Sequence, residues 1–261
     1  MLKDKFAIKK KVIIICGGSG QIGRNLVTFL SSKGATIINL DMHKLEVNDI
    51  TNYFFYKIDL RKEKSVTEVL KKIEKKFKKI DILVNLFHFK GNRQLKPNHS
   101  FFSEFHKYPF GLWKDTINTN LNGLFLICKN VIAHMVKNKS GVIVNTGSTY
   151  GIVSPKHHIY GKSGINSPIS YATTKSAIIN FTKYISTYYS KYNIRANTIS
   201  PGGINNKNQT RFFKKKYKEN TPLQRMANED EFNEAILFLI SDASSYMTGS
   251  NLVIDGGWTS W

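Results

Sequence analysis

Apolar runs of four to six residues recur along this chain between longer segments whose apolar residues fall every three to four positions. That alternation of short buried strands with amphipathic helices is the repeating unit of a parallel sheet, because a parallel strand pair needs a crossover of a dozen or more residues. The pattern predicts strands near 11–16, 35–40, 53–58, 81–85, 141–146, 194–199 and 251–254, and helices near 21–33, 62–79, 111–138, 170–192 and 229–241. No internal repeat or Pro/Gly-rich linker interrupts it. The expected architecture is one doubly wound α/β domain over residues 1–261, with about seven parallel strands and helices on both faces. Three connections exceed an ordinary turn: 86–110, 148–169 and 200–228. Each follows the carboxyl end of a predicted strand, where open α/β sheets bind their ligands.

Composition narrows the partners. The longest apolar stretches, such as Val12 to Cys16, are far shorter than the roughly 18 residues of a spanning helix. No leader with a cleavage site is evident, so the expectation is a soluble cytoplasmic protein without a membrane partner. The net charge of +21 would ordinarily raise nucleic acid as a partner, but only six of the 39 basic residues are Arg. The densest lysines, Lys71 to Lys79, flank Val69, Ile73 and Phe77 at helical spacing, which describes a solvated helix face. No specific nucleic-acid site is expected. Cys16 and Cys128 lie in apolar runs and read as buried free thiols. His88, His99, His106, His157 and His158 lack acidic companions at ligand spacing, so no metal is expected.

The first predicted strand runs into Gly17-Gly18-Ser19-Gly20-Gln21-Ile22-Gly23 and then a helix, so Gly18, Gly20 and Gly23 satisfy G-x-G-x-x-G in strand–turn–helix context. Glycines there let the backbone approach a pyrophosphate, and the helix amino end offers unpaired N–H groups. The second strand ends at Asp41, 18 residues past Gly23, where an acid accepts the ribose hydroxyls of NAD and repels a 2′-phosphate. NAD is the favoured cofactor. NADP is the alternative, since His43 and Lys44 stand nearby.

Hydride transfer at a carbinol needs a group that moves the hydroxyl proton near neutral pH, which a phenol does only with help from a neighbouring charge. Tyr171-Ala172-Thr173-Thr174-Lys175 puts a lysine one helical turn from a tyrosine. The same spacing at Tyr53 and Lys57 falls in a strand, where residues four apart are about 13 Å distant. Ser148 closes the strand Gly141 to Thr146, Asn120 lies inside a long helix, Pro201 and Gly202 follow the sixth strand, and the last strand ends in Asp255-Gly256-Gly257.

Over its whole length the chain resembles a short-chain dehydrogenase/reductase. The resemblance implies that Tyr171 is the general acid/base and that Lys175 binds the nicotinamide ribose and lowers the tyrosine pKa. It implies that Ser148 holds the substrate oxygen and that Asn120 kinks its helix to anchor a proton-relay water. Asp59, with Leu60, and Asn85 fall where the family contacts adenine; Pro201, Gly202 and Ile204 flank the nicotinamide. The family is commonly a dimer or tetramer, so Trp258 and Trp261 read either as core plugs or as subunit contacts.

The chain departs from the family in four places. Cys16 stands where Thr is usual, and Gln21 takes the usual second glycine of T-G-x-x-x-G-x-G, with Gly20 one residue earlier. The usual N-N-A-G is Asn85-Leu86-Phe87-His88. Tyr171 follows Ser148 by 23 residues rather than about 13, which places an insertion within Pro155 to Pro168. The stretch Ser148 to Pro155, Ile159-Tyr160-Gly161 and Asn166-Ser167-Pro168 is similar to a subgroup known as flagellin modification protein A, of legionaminic-type nonulosonic acid and surface-glycan pathways. Membership would imply an amino-sugar or sugar-phosphate substrate. Across 86–115, 149–169 and 200–220 there are 18 Lys, Arg or His against three acids, which suits an anionic sugar-derived substrate or, equally, solvated loops.

The expectation is thus an NAD(P)-dependent oxidoreductase interconverting a secondary alcohol and a ketone. A 3-oxoacyl-[acyl-carrier-protein] reductase is the enzymatic rival, and a non-catalytic partner protein retaining the fold is the rival from another class.

Overall fold

A computed structural model describes residues 4–47, 50–89, 91, 100–163 and 165–261. Seven strands, β1 (Val12–Cys16), β2 (Thr36–Asp41), β3 (Tyr53–Lys57), β4 (Ile82–Asn85), β5 (Gly141–Thr146), β6 (Ile194–Pro201) and β7 (Asn251–Ile254), lie within a residue or two of the predicted runs. They form one sheet in the order β3-β2-β1-β4-β5-β6-β7. Every pairing is parallel, with Cys16 opposite Leu40 on one side and Asn85 on the other. The chain leaves β1 toward β2 and later returns to β4 on the opposite side. The crevice at this reversal opens at the carboxyl ends of β1 and β4, where doubly wound sheets hold ligands.

The helices are α1 (Gln21–Ser32), α2 (Glu63–Phe77), α3 (Phe110–Ile117), α4 (Gly123–Asn138), α5 (Ile169–Tyr189), α6 (Arg211–Glu219) and α7 (Asn233–Ile240). In α2 the buried Val66, Leu70 and Ile73 make one stripe and the lysines face solvent, as their spacing predicts. One core joins β-sheet residues to Leu70 of α2, Val131 of α4 and Ile178 of α5. The other joins the opposite face to Leu26 and Leu30 of α1 and Ile236 of α7. Cys16 and Cys128 are buried free thiols, and burial pushes the Cys128 thiol up to about 12.

Two expectations need correction. The helix predicted over 111–138 is interrupted at Asn118–Asn122 by a π turn, in which Gly123 N–H bonds the carbonyl of Asn118 five residues back. The connection 200–228 is not a plain loop: it contains α6, capped by Thr210, whose hydroxyl accepts Phe213 N–H at 3.1 Å. Part of the 86–110 connection, with His99, lies outside the described residues. Among the described residues no helix is long and apolar enough to cross a membrane, and no three His, Cys, Asp or Glu gather as metal ligands.

Candidate active site

The chain leaves β1 through a turn that requires glycine at two points. Gly17 has φ +84°, and a Cβ there would lie 2.8 Å from the Phe87 backbone nitrogen. A Cβ on Gly23 would overlap the Gly17 carbonyl, so the first turn of α1 packs directly beneath the loop. Gly18 lies over Asn39, and Gly20 is the residue before α1, with only the Gly17 carbonyl 3.2 Å from an added Cβ. Gln21 opens the helix. Its Nε2 donates to the Asn205 carbonyl at 3.1 Å, while Ile22 packs toward the core.

Asp41 is tied to this turn. Its carboxylate accepts Ser19 N–H and His43 N–H, both at 3.1 Å, and the Ser19 hydroxyl donates to the His43 carbonyl at 2.6 Å. A fixed carboxylate at the end of β2, beside a tight loop and a helix amino end, makes a cradle that fits the adenosine ribose and pyrophosphate of a dinucleotide.

The residues expected around adenine divide. Asp59 holds Arg61 through two hydrogen bonds of 2.8 and 2.9 Å, and the guanidinium keeps its carboxyl below the usual range. Leu60 is buried in the core against Gly123. The Asn85 side chain, at the end of β4, is buried and donates to Asn145 Oδ1 at 2.8 Å, and Asn145 in turn donates to Thr182 at 2.9 Å. This side chain therefore braces β4 against β5 and, through Asn145, against α5. Pro201 ends β6, Gly202 N–H donates to the Ile254 carbonyl at 2.8 Å, and Ile204 bridges Ala227.

The four residues expected to carry chemistry converge where β5, the π turn and α5 meet. Ser148 follows β5 and caps a short 3-10 turn, accepting Tyr150 N–H at 3.2 Å. Tyr171, in the first turn of α5, is half-buried, and the nearby Ser148 hydroxyl favours its ionised form. Lys175 is fully buried, with Nζ 5.7 Å from the Tyr171 ring centre and donating to the Thr146 carbonyl at 2.6 Å. Asn120, at the centre of the π turn, accepts Phe89 N–H at 2.7 Å and donates to Thr174 Oγ1 at 2.9 Å. Its side chain therefore joins the segment after β4 to the helix carrying Tyr171 and Lys175. Thr146, Thr174 and Phe89 are site residues that sequence reasoning missed.

Electrostatics at this centre departs from one expectation. Burial pulls Lys175 down to about 7, and burial likewise raises the Tyr171 phenol, with the Ser148 hydrogen bond opposing.

Above the centre, the insertion and α6 form one cover. Tyr160 stacks on Phe213 with ring centres 5.2 Å apart, and Lys156 donates to Asn220 at 3.1 Å. Trp258 is buried and stacks on Tyr217 at 4.3 Å; the Tyr217 hydroxyl accepts the Gly203 N–H. Trp258 is thus a core plug under the cover, while Trp261 is exposed and donates to the Asn220 carbonyl at 3.2 Å.

Comparison with known proteins agrees with this geometry. The family described as enoyl-(acyl carrier protein) reductase matches residues 18–259. An NAD-dependent glycerol dehydrogenase of Listeria innocua is 29% identical over 268 residues, spanning 97% of this chain and 96% of its own. A 3-oxoacyl-[acyl-carrier-protein] reductase of Buchnera aphidicola is 30% identical over 262 residues, at 96% and 98% coverage. Among solved structures, a short-chain dehydrogenase from Leptospira borgpetersenii with bound NAD+ superposes with a TM-score of 0.90 at 35% identity, over 99% of this chain and 97% of that one.

Proposed function

The chain belongs to the short-chain dehydrogenase/reductase family, and from that premise we propose that it interconverts a secondary alcohol and a ketone on a sugar-derived metabolite, with Tyr171 as general acid/base. The family's members are NAD(P)-dependent oxidoreductases acting on CH–OH or ketone groups. The single observation that carries the residue assignment is the buried Lys175, anchored to Thr146 within 5.7 Å of a phenol that meets the Ser148 hydroxyl. A buried ammonium without a carboxylate partner is costly, and functional sites are where such groups persist.

In this reading Gly17, Gly18, Ser19, Gly20, Gln21, Ile22 and Gly23 cradle the pyrophosphate, Asp41 takes the adenosine ribose, and Pro201, Gly202 and Ile204 border the nicotinamide. When held there, NAD would supply the hydride acceptor in its oxidised form and the hydride donor in its reduced form. Ser148 holds the substrate oxygen, Tyr171 takes or returns its proton, and Lys175 supplies positive charge beneath the phenol. Asn120 holds the helix of Tyr171 in register with the segment after β4. One domain spans the chain, and the working form is a homodimer or homotetramer.

The tie of Asp41 to the turn supports NAD over NADP, and an NAD-dependent glycerol dehydrogenase among the relatives is consistent with a polyhydroxylated substrate. The insertion supports a place in surface-glycan or nonulosonic acid synthesis. A 3-oxoacyl-[acyl-carrier-protein] reductase is the second reading, favoured by relatives of that activity. Parallel titration with NADH and NADPH, followed by nicotinamide fluorescence, separates the two: preference for NADH supports the proposal, and preference for NADPH supports the rival.

A further inference from the structure

His88 stands where the family usually has glycine, in the segment that leaves β4. Its ring meets that of Tyr171 edge to face, with centres 5.7 Å apart and planes at 69°. The segment has little freedom to withdraw. On one side the Phe87 backbone packs against Gly17, where even a methyl group would come within 2.8 Å. On the other, Phe89 N–H is fixed to Asn120 at 2.7 Å. An imidazole is thus held against the Tyr171 ring, where glycine would have placed no side chain.

From this geometry we propose that His88 is a specificity-determining residue that hydrogen-bonds a hydroxyl on the carbon next to the reacting one, so that the enzyme selects vicinal diols over isolated secondary alcohols. The proposal rests on the alcohol–ketone chemistry above. Its physical basis is reach. Neighbouring hydroxyl oxygens on a carbon chain are about as far apart as a hydrogen-bonded pair, and a second bond of roughly 2.9 Å carries from the adjacent oxygen to a ring nitrogen. A group one ring away from Tyr171 is in place to take that bond. A single lost hydrogen bond to a bound substrate costs on the order of tenfold in kcat/KM.

The test compares wild type with His88→Ala, His88→Phe and His88→Asn, using NAD+ with glycerol and xylitol as diol probes and 2-butanol as the isolated alcohol. NADH titration of each variant checks that the cofactor site is intact. The expected result is a fall of at least about tenfold in the diol-to-2-butanol ratio of kcat/KM for His88→Ala and His88→Phe, carried mainly by KM, with partial recovery in His88→Asn. His88→Phe keeps the ring packing, so its loss separates hydrogen bonding from structure. An unchanged ratio in both variants, or a wild type that oxidises 2-butanol and neither diol, overturns the role of His88 while the alcohol–ketone reading stands. A wild type that binds NADH and oxidises none of the three counts against both.

Discussion

Lys175 and Thr146 are joined by a 2.6 Å hydrogen bond from a fully buried ammonium to the last carbonyl of β5. This one bond aligns the helix of Tyr171 with the sheet edge that carries Ser148. It also has a thermodynamic consequence. Lys175 titrates near 7 in the folded protein and near its ordinary value of 10.5 when unfolded. Between those values the unfolded chain binds more protons, so this residue makes stability rise with pH across that window and contributes no slope below it.

Lys175→Met should remove that rise. Chemical denaturation at several pH values would show wild-type stability climbing relative to the variant by up to about 1.4 kcal/mol per pH unit between roughly 7 and 10. Parallel curves for the two proteins would show that the lysine is not desolvated as described.

Asp41→Ala should shift cofactor choice. The carboxylate accepts Ser19 and His43 N–H groups at the end of β2, where a 2′-phosphate would meet its charge. The preference for NADH over NADPH, read by fluorescence titration, should fall by roughly tenfold, the scale of one charge-assisted hydrogen bond. Retention of full NADH preference would remove Asp41 from the ribose site.

Trp258→Ala should be costly twice. Removing a buried indole stacked on Tyr217 leaves a cavity worth about 3–5 kcal/mol in denaturation experiments. Tyr217 accepts the Gly203 N–H one residue before Ile204, so NADH affinity should weaken as well. Trp258→Phe should lose much less on both readouts.

Much of the sheet was legible in the sequence because strands such as Val12–Cys16 and Ile82–Asn85 are compact apolar runs. The Gly-rich turn was legible for a different reason: Gly17 and Gly23 are sites where any side chain would collide. The missed elements depend on distant partners. The local hints of α6, the cap residue Thr210 and the pair Phe213 and Tyr217 four residues apart, are diluted by Lys214, Lys215, Lys216 and Lys218. The π turn was foreseen only as a kink at Asn120 through the family resemblance, since what braces it is Asn120 reaching the distant Phe89 and Thr174. The orientation of the Asn85 side chain is likewise set by Asn145 on the neighbouring strand. His88 meets Tyr171 only because the end of β4 and the start of α5 are brought together by the sheet.

The central claim is that Tyr171 moves the proton of the reacting hydroxyl. Tyr171→Phe keeps the ring and removes only the phenolic oxygen, so the direct measurement is turnover of this variant with NAD+ and a polyol that the wild type oxidises, beside NADH titration. The account predicts a fall of at least about a hundredfold in kcat, with NADH affinity within about twofold of wild type. Wild-type turnover in a variant that still binds NADH would contradict it.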